Sequence, residues 1–304
     1  NQLDAVRVQG YITAQYRLFQ MDLTTRKAAG RLSEVMGERT FKLDRATRRK
    51  GMVFAAENDI VGWSKSPESM ALLEAYAEGV NAWIDQLKPA DYPIEFKLLN
   101  YKPEHWSPFK SALVTEAMAE TLCSGEDDIE ATNALKYFGK ETFDYLYPEW
   151  NPKQQPIIPD TGQWKDWRIV QPPPAPEAGN SIGALYKSID GEMPEIGDLD
   201  RYLVGSNNWA VSGSKTKSGK ALLANDPHLN LTLPSIWFQV QIHTPDVNTY
   251  GVSLPGTPGI VIGFNENMAW GVTNVGHDVS DYYTVKWTDA TRMKYQLDNE
   301  QRDV

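Results

Sequence analysis

The sequence predicts an α+β chain, a helical layer followed by a sheet, and three observations carry that prediction. The first ~150 residues repeat apolar side chains at helical spacing, with two Ser-Pro helix starts among them. A proline-rich stretch of poor periodicity then breaks the pattern. Beyond Val204 the period falls to two, and Gly and Pro turns separate short segments. With 304 residues, 41% of them hydrophobic, there is ample material for a large packed core.

Taken in order, the chain opens at "NQLDAVRVQGYITAQYRLFQMDL", already inside a helical pattern that sets Ile12, Tyr16, Phe19 and Leu23 on one face. No initiator Met and no signal peptide stand there, so the expectation is a fragment or a processed chain. "SPESMALLEAYAEGVNAWIDQLKP" sets Met70, Leu73, Ala77, Val80, Ile84 and Leu87 on another helical face. Ser66 is its N-cap, Pro67 its first helical residue, and Pro89 stops it. "SPFKSALVTEAMAETLC" repeats the Ser-Pro start at Ser107 and Pro108. "IIPDTGQWKDWRIVQPPPAPEAGNS" reads as a linker or surface arm. In "RYLVGSNNWAVSG" a strand begins with a Gly-Ser step, two asparagines and a buried-looking Trp209. In "SIWFQVQIH" Ile236, Phe238, Val240 and Ile242 alternate with Trp237, Gln239, Gln241 and His243, the mark of a half-buried strand. "LPGTPGIVIGFN", "MAWGVTN" and "DYYTVKW" continue as short strands. The last of them opens a strand, a turn around Asp289 and Ala290, and a returning strand. The resulting partition is a mostly helical region over 1–156, a linker or spacer over 157–205, and a sheet-forming region over 206–304.

Charge and cysteine usage exclude some classes of partner. A net charge of -10 and a pI near 5.0 argue against a nucleic-acid or anionic-membrane surface, which needs a basic face. The expected partner is a small molecule. The single cysteine, Cys123, makes no internal disulfide and leaves the compartment open. No apolar run approaches the ~18 residues of a membrane-spanning helix.

Four local stretches offer chemistry. Gly205-Ser206 joins a residue with no Cβ to obstruct attack on its own carbonyl to a hydroxyl that could make that attack. Cleavage there would free Ser206 as an N-terminus carrying a nucleophilic hydroxyl beside an α-amine of reference pKa about 7.7–8.0, so that one residue supplies nucleophile and base. Gly-Ser pairs are also common turn residues, and alone the pair defines no site. "LLANDPHL" ends a strand on Asn225, Asp226, Pro227 and His228, and a histidine there can hold a nearby amine or hydroxyl. "WGVTNVGHDVSDYY" spaces Asp278 and Asp281 three apart, a pattern suited to a hard cation such as calcium or simply to a solvated acidic loop. "CSGEDDIE" gathers Glu126, Asp127, Asp128 and Glu130, by itself a charged surface.

Together, "GSNNWAVSGSKTKSGKALLANDPHL" and "LPGTPGIVIGFNENMAWGVTN" resemble the penicillin acylase family of N-terminal nucleophile hydrolases. "GYITAQYRLFQMDLTTRKAAGRLSEVMG" and "YKPEHWSPFKS" are similar to its α-chain segments, so the likeness covers nearly the whole chain. The resemblance implies a four-layer αββα sandwich, of which this chain would lack the start of the α chain and most of the β chain. It implies a self-cleaving amidase that hydrolyses the N-acyl amide of a small molecule with a hydrophobic acyl group, of the penicillin or acyl-homoserine-lactone type. Ser206 would be the nucleophile, its freed amine the base, Gly205 the residue left by the cut, and His228 the group orienting the amine or hydroxyl. The backbone N–H of Asn274 falls at the family's first oxyanion donor, while the second, an asparagine side chain, would lie beyond Val304. A structural calcium would take Asp278, Asp281, the backbone of Ser280 and, from the α part, Asp128, with Asp127 and Glu130 as alternatives in register. Met118 and Leu122 would face Leu229 and Ile262 across the acyl pocket, all four being equally compatible with core packing. The α and β chains of one precursor would form a heterodimer, exported to the periplasm or secreted.

Two other classes compete. Ten tryptophans and fourteen tyrosines could line a secreted carbohydrate-binding module without catalysis. Glu126 with Asp128 could serve a glycosidase. Neither gives Gly205-Ser206-Asn207-Asn208 a purpose.

Overall fold

The structure, a computed structural model, describes residues 1–123, 127–148, 153, 205–274 and 283–304, in two compact units. The larger unit begins with helices α1 (Gln2–Ala28), α2 (Ser33–Met36), α3 (Phe41–Arg49), α4 (Met52–Trp63), α5 (Pro67–Ile84), α6 (Ile94–Leu98) and α7 (Pro108–Cys123). Strands β1 (Gly205–Val211), β2 (Leu222–His228), β3 (Phe238–His243), β4 (Asn248–Ser253), β5 (Ile262–Phe264) and β6 (Ala269–Trp270) complete it. The mixed helix-and-sheet class read from the sequence is therefore observed.

The Ser-Pro start of α5 acts as expected, but the helix ends at Ile84, before Leu87 and Pro89. Ser66 accepts the amide of Ser69 at the start of α5, with Pro67 at the first helical position. Asn1 and Asp4 cap α1 reciprocally. The expected face of α5 is right, since Leu73, Ala77, Val80 and Ile84 are buried.

The expected face of α1 is right at Phe19, which packs against Phe96 of the core, and wrong at Ile12 and Tyr16. Ile12 is exposed and Tyr16 is 67% exposed, while the core side carries Val6, Gly10, Ala14, Leu18 and Met21 with polar Gln9, Thr13, Asp22 and Arg26. Gly10 and Gly79 let α1 and α5 approach until a methyl group on either would strike the main chain of Tyr76 or Arg7. Small residues, not large apolar ones, mark that contact. The buried polar groups are partnered: Arg26, 4% exposed, reaches Asp22 at 2.8 Å, Glu34 at 2.9 Å and Glu104 at 2.8 Å. The Tyr101 hydroxyl donates to Asp22 at 2.7 Å. Burial alone would raise the Glu104 carboxyl, but Arg31, Lys110 and Arg26 outweigh it and hold the group at about 2.

The sheet of this unit runs β3-β4-β5-β6, all antiparallel, with β1-β2 as a separate hairpin. In β3 burial alternates as the period-two reading requires, with Phe238, Val240 and Ile242 inward. Two hydrogen-bond sets join the helices to the turn at Leu254–Gly259. The Gln9 carboxamide donates to the Gly259 carbonyl and accepts its N–H, both at 2.9 Å. The buried Tyr76 hydroxyl accepts from the Gly256 N–H at 3.0 Å.

The smaller unit contains α8 (Asp127–Phe138), α9 (Lys140–Leu146) and the meander β7 (Lys286–Trp287), β8 (Lys294–Leu297) and β9 (Glu300–Asp303). The turn at Asp289 appears as expected, and a second follows at Asp298 and Asn299, whose φ values of 49° and 67° suit a tight two-residue hairpin turn.

Candidate active site

The β1–β2 hairpin sets Gly205 opposite His228 and Ser206 opposite Pro227. Gly205 and Ser206 are half-buried at the head of β1. The Ser206 hydroxyl donates to the carbonyl oxygen of Gly205 at 2.5 Å, so it lies against the carbonyl of the residue before it. His228 Nδ1 stands alongside, 3.8 Å from where a Cβ on Gly205 would sit. Its Nε2 pairs with Asp226 Oδ2 at 2.8 Å, which orients the ring. Sequence reading named His228 but gave Asp226 no part. The legible signal was the spacing of two within a strand, which puts both side chains on one face.

Trp209 is not buried: it is 65% exposed, and β1 does not alternate in burial beyond Ser206. β1 pairs with β2 alone in a two-stranded sheet.

Asn225 occupies the centre of the arrangement. Its carboxamide donates to the carbonyls of Asn207 (3.2 Å) and Val272 (2.8 Å), and accepts the Val272 N–H at 3.2 Å. The segment so held leads within two residues to Asn274, which is half-buried.

Met118, Leu122, Leu229 and Ile262 are all half-buried. Two cavities of the larger unit are lined by other residues. One of about 280 Å³ takes Val6, Leu72, Ile242, Val247, Ile260 and Trp270, and one of about 270 Å³ takes Trp63, Leu73, Thr115 and Thr257. Between α4 and α7, burial and a hydrogen bond to Asp59 push the Glu116 carboxyl up to about 7, a contact that sequence reading missed.

Of the expected calcium ligands, Asp278, Ser280 and Asp281 lie outside the described residues, and Asp128 is half-buried in α8. No acidic, histidine or cysteine cluster of metal-binding size occurs among the described residues. Glu126 of the glycosidase alternative is likewise outside them. No described helix is long and apolar enough to cross a membrane.

The hairpin thus carries a serine hydroxyl on the preceding carbonyl and, in register with Gly205, an imidazole held by a carboxylate. The chain belongs to the penicillin amidase family, whose model matches residues 1–304. It is 33% identical over 282 residues to the acyl-homoserine lactone acylase QuiP of Pseudomonas aeruginosa, covering 92% of this chain and 32% of that protein. It is 31% identical to penicillin acylase 2 proenzyme from a Pseudomonas species, covering 95% of this chain and 36% of that one. Penicillin G acylase of Escherichia coli is 28% identical, covering 95% and 38%. The chain thus spans about a third of the length of these relatives.

Proposed function

We propose that this chain carries the nucleophile of a self-cleaving amidase acting on N-acyl amides with hydrophobic acyl groups. The observation that carries the reading is the Ser206 hydroxyl held on the Gly205 carbonyl, with His228 in register across the hairpin. Family membership and relatives named as penicillin and acyl-homoserine lactone acylases support it.

In the first reaction Ser206 Oγ attacks the Gly205 carbonyl carbon, the hydroxyl proton passes to the departing amide nitrogen, and the C–N bond gives way to an ester. Water then hydrolyses that ester, leaving Gly205 with a carboxylate and Ser206 with a free hydroxyl and α-amine. In turnover the amine takes the hydroxyl proton as Oγ adds to the substrate's acyl carbonyl. The backbone N–H of Asn274 holds the oxyanion, a contribution of roughly 2.7–4 kcal/mol where one such donor has been removed elsewhere. The amine product leaves with the proton, and water releases the acid. Met118, Leu122, Leu229 and Ile262 would receive the acyl group.

The same reading makes residues to about 156 the α chain, 157–205 a spacer, and Ser206 the head of the β chain, in a layered αββα heterodimer exported to the periplasm or beyond. Asp278, Asp281, the Ser280 carbonyl and Asp128 offer the oxygen donors that a structural calcium takes. Mass spectrometry of the full-length gene product tests the set. Denaturing spectra should resolve two chains, the second beginning at Ser206, and native spectra one calcium per heterodimer, lost in Asp278→Ala. Ser206→Ala should give a folded, uncut, inactive chain, and Ser206→Cys a partly cut one, because a thiol makes the same acyl shift. Cutting after Gly205 in the alanine variant would sink the mechanism.

A further inference from the structure

The geometry points to Asn225 as a positioning residue that fixes the oxyanion segment relative to the nucleophile. This inference rests on the roles proposed for Ser206 and Asn274. The Asn225 side chain leaves its own strand and satisfies both main-chain groups of Val272, donating to its carbonyl and accepting its N–H, as a neighbouring strand would. The second amide hydrogen goes to the Asn207 carbonyl, one residue past Ser206. One planar group therefore ties the nucleophile's strand to the segment 272–274, although β1-β2 and β3-β6 belong to different sheets.

The neighbouring sequence is fitted to this tie. A Cβ at Gly271 would lie 2.7 Å from Asn225 Oδ1 and 2.8 Å from its Cβ and Cγ, so any larger residue expels the carboxamide from its place. Gln9 grips Gly259 by the same pair of bonds, but within the helix–turn contact and remote in sequence from the reacting groups. Asn225 differs in what it joins. Without it, β1 keeps its ladder to β2, while the segment bearing the Asn274 N–H loses the tie at Val272. Displacement of about 1 Å in such a site costs about 10²-fold.

The test uses the full-length gene product with Asn225→Ala, Asn225→Asp and Gly271→Ala. Asn225→Asp keeps an acceptor for Val272 but sets charged oxygen against two carbonyls. Gly271→Ala leaves Asn225 in the sequence and evicts its side chain, which covers the case in which a substitution at 225 fails to fold. Rates are read with phenylacetyl and fatty-acyl para-nitroanilides, together with binding of a boronic acid bearing the same acyl group, which mimics the tetrahedral state. The expected result is chain cutting within about threefold of the parent, kcat lower by roughly 10–10²-fold, KM within about twofold, and boronate affinity falling in step with kcat. Unchanged kcat in folded, cut Asn225→Ala and Gly271→Ala overturns the inference, as does a rise in KM alone or a folded variant that stays uncut. Turnover by Ser206→Ala would instead overturn the underlying assignment of the nucleophile, so the two failures are separate.

Discussion

At the scale of single residues, the site depends on how few atoms are brought together. Gly205 leaves its carbonyl open, Ser206 rests its hydroxyl on that carbonyl, and His228 lies across the ladder with Asp226 behind it. Asp226 is 74% exposed and His228 43%, so water screens the pair and its contribution is modest. Its value is orientation of the ring. Asp226→Ala should slow cutting at Gly205-Ser206 by about tenfold, close to 1.4 kcal/mol of barrier, while Asp226→Asn stays nearer the parent. Timed electrophoresis of the precursor reads both rates, and equal rates in Asp226→Ala and the parent would remove Asp226 from the site.

At the scale of elements, α4 and α7 meet through a carboxyl pair rather than an apolar seam alone. Glu116 is raised to about 7 by burial and by Asp59, so its contribution to stability is complete below the ordinary carboxylate range and is lost as pH rises through about 7. The melting temperature should fall between about pH 5 and pH 8, and Glu116→Gln should flatten that fall. Parallel profiles for variant and parent would exclude this pair as the cause. Such a pair was not legible in the sequence, because Asp59 and Glu116 are 57 positions apart and only the packing of two helices joins them. What was legible had local causes. The Ser66-Pro67 start of α5, its apolar face and the alternation of β3 are each set by residues a few places apart. The face of α1 was misread at Ile12 and Tyr16 because glycine and buried polar groups occupy part of its core side. Gly205, Ser206 and His228 were singled out through local motifs, whereas the tie made by Asn225 is a bond across 47 residues to Val272.

At the scale of the whole molecule, the charge of -10 and the reading of a small-molecule amidase agree in requiring no basic face. The register of the hairpin bears on how such a molecule becomes active. Gly205 is itself a rung of the ladder, opposite His228, and hydrolysis of its bond to Ser206 does not undo that rung. On the proposed cleavage, the new carboxylate is a product held by that rung beside Ser206. It competes with substrate until the strand end peels away. Activation should therefore have two clocks, with catalytic activity lagging behind the appearance of cut chain, and the lag should shorten in mild denaturant that loosens the first rung. Activity rising in strict proportion to cut chain at every time point would mean that the severed end departs as fast as it forms.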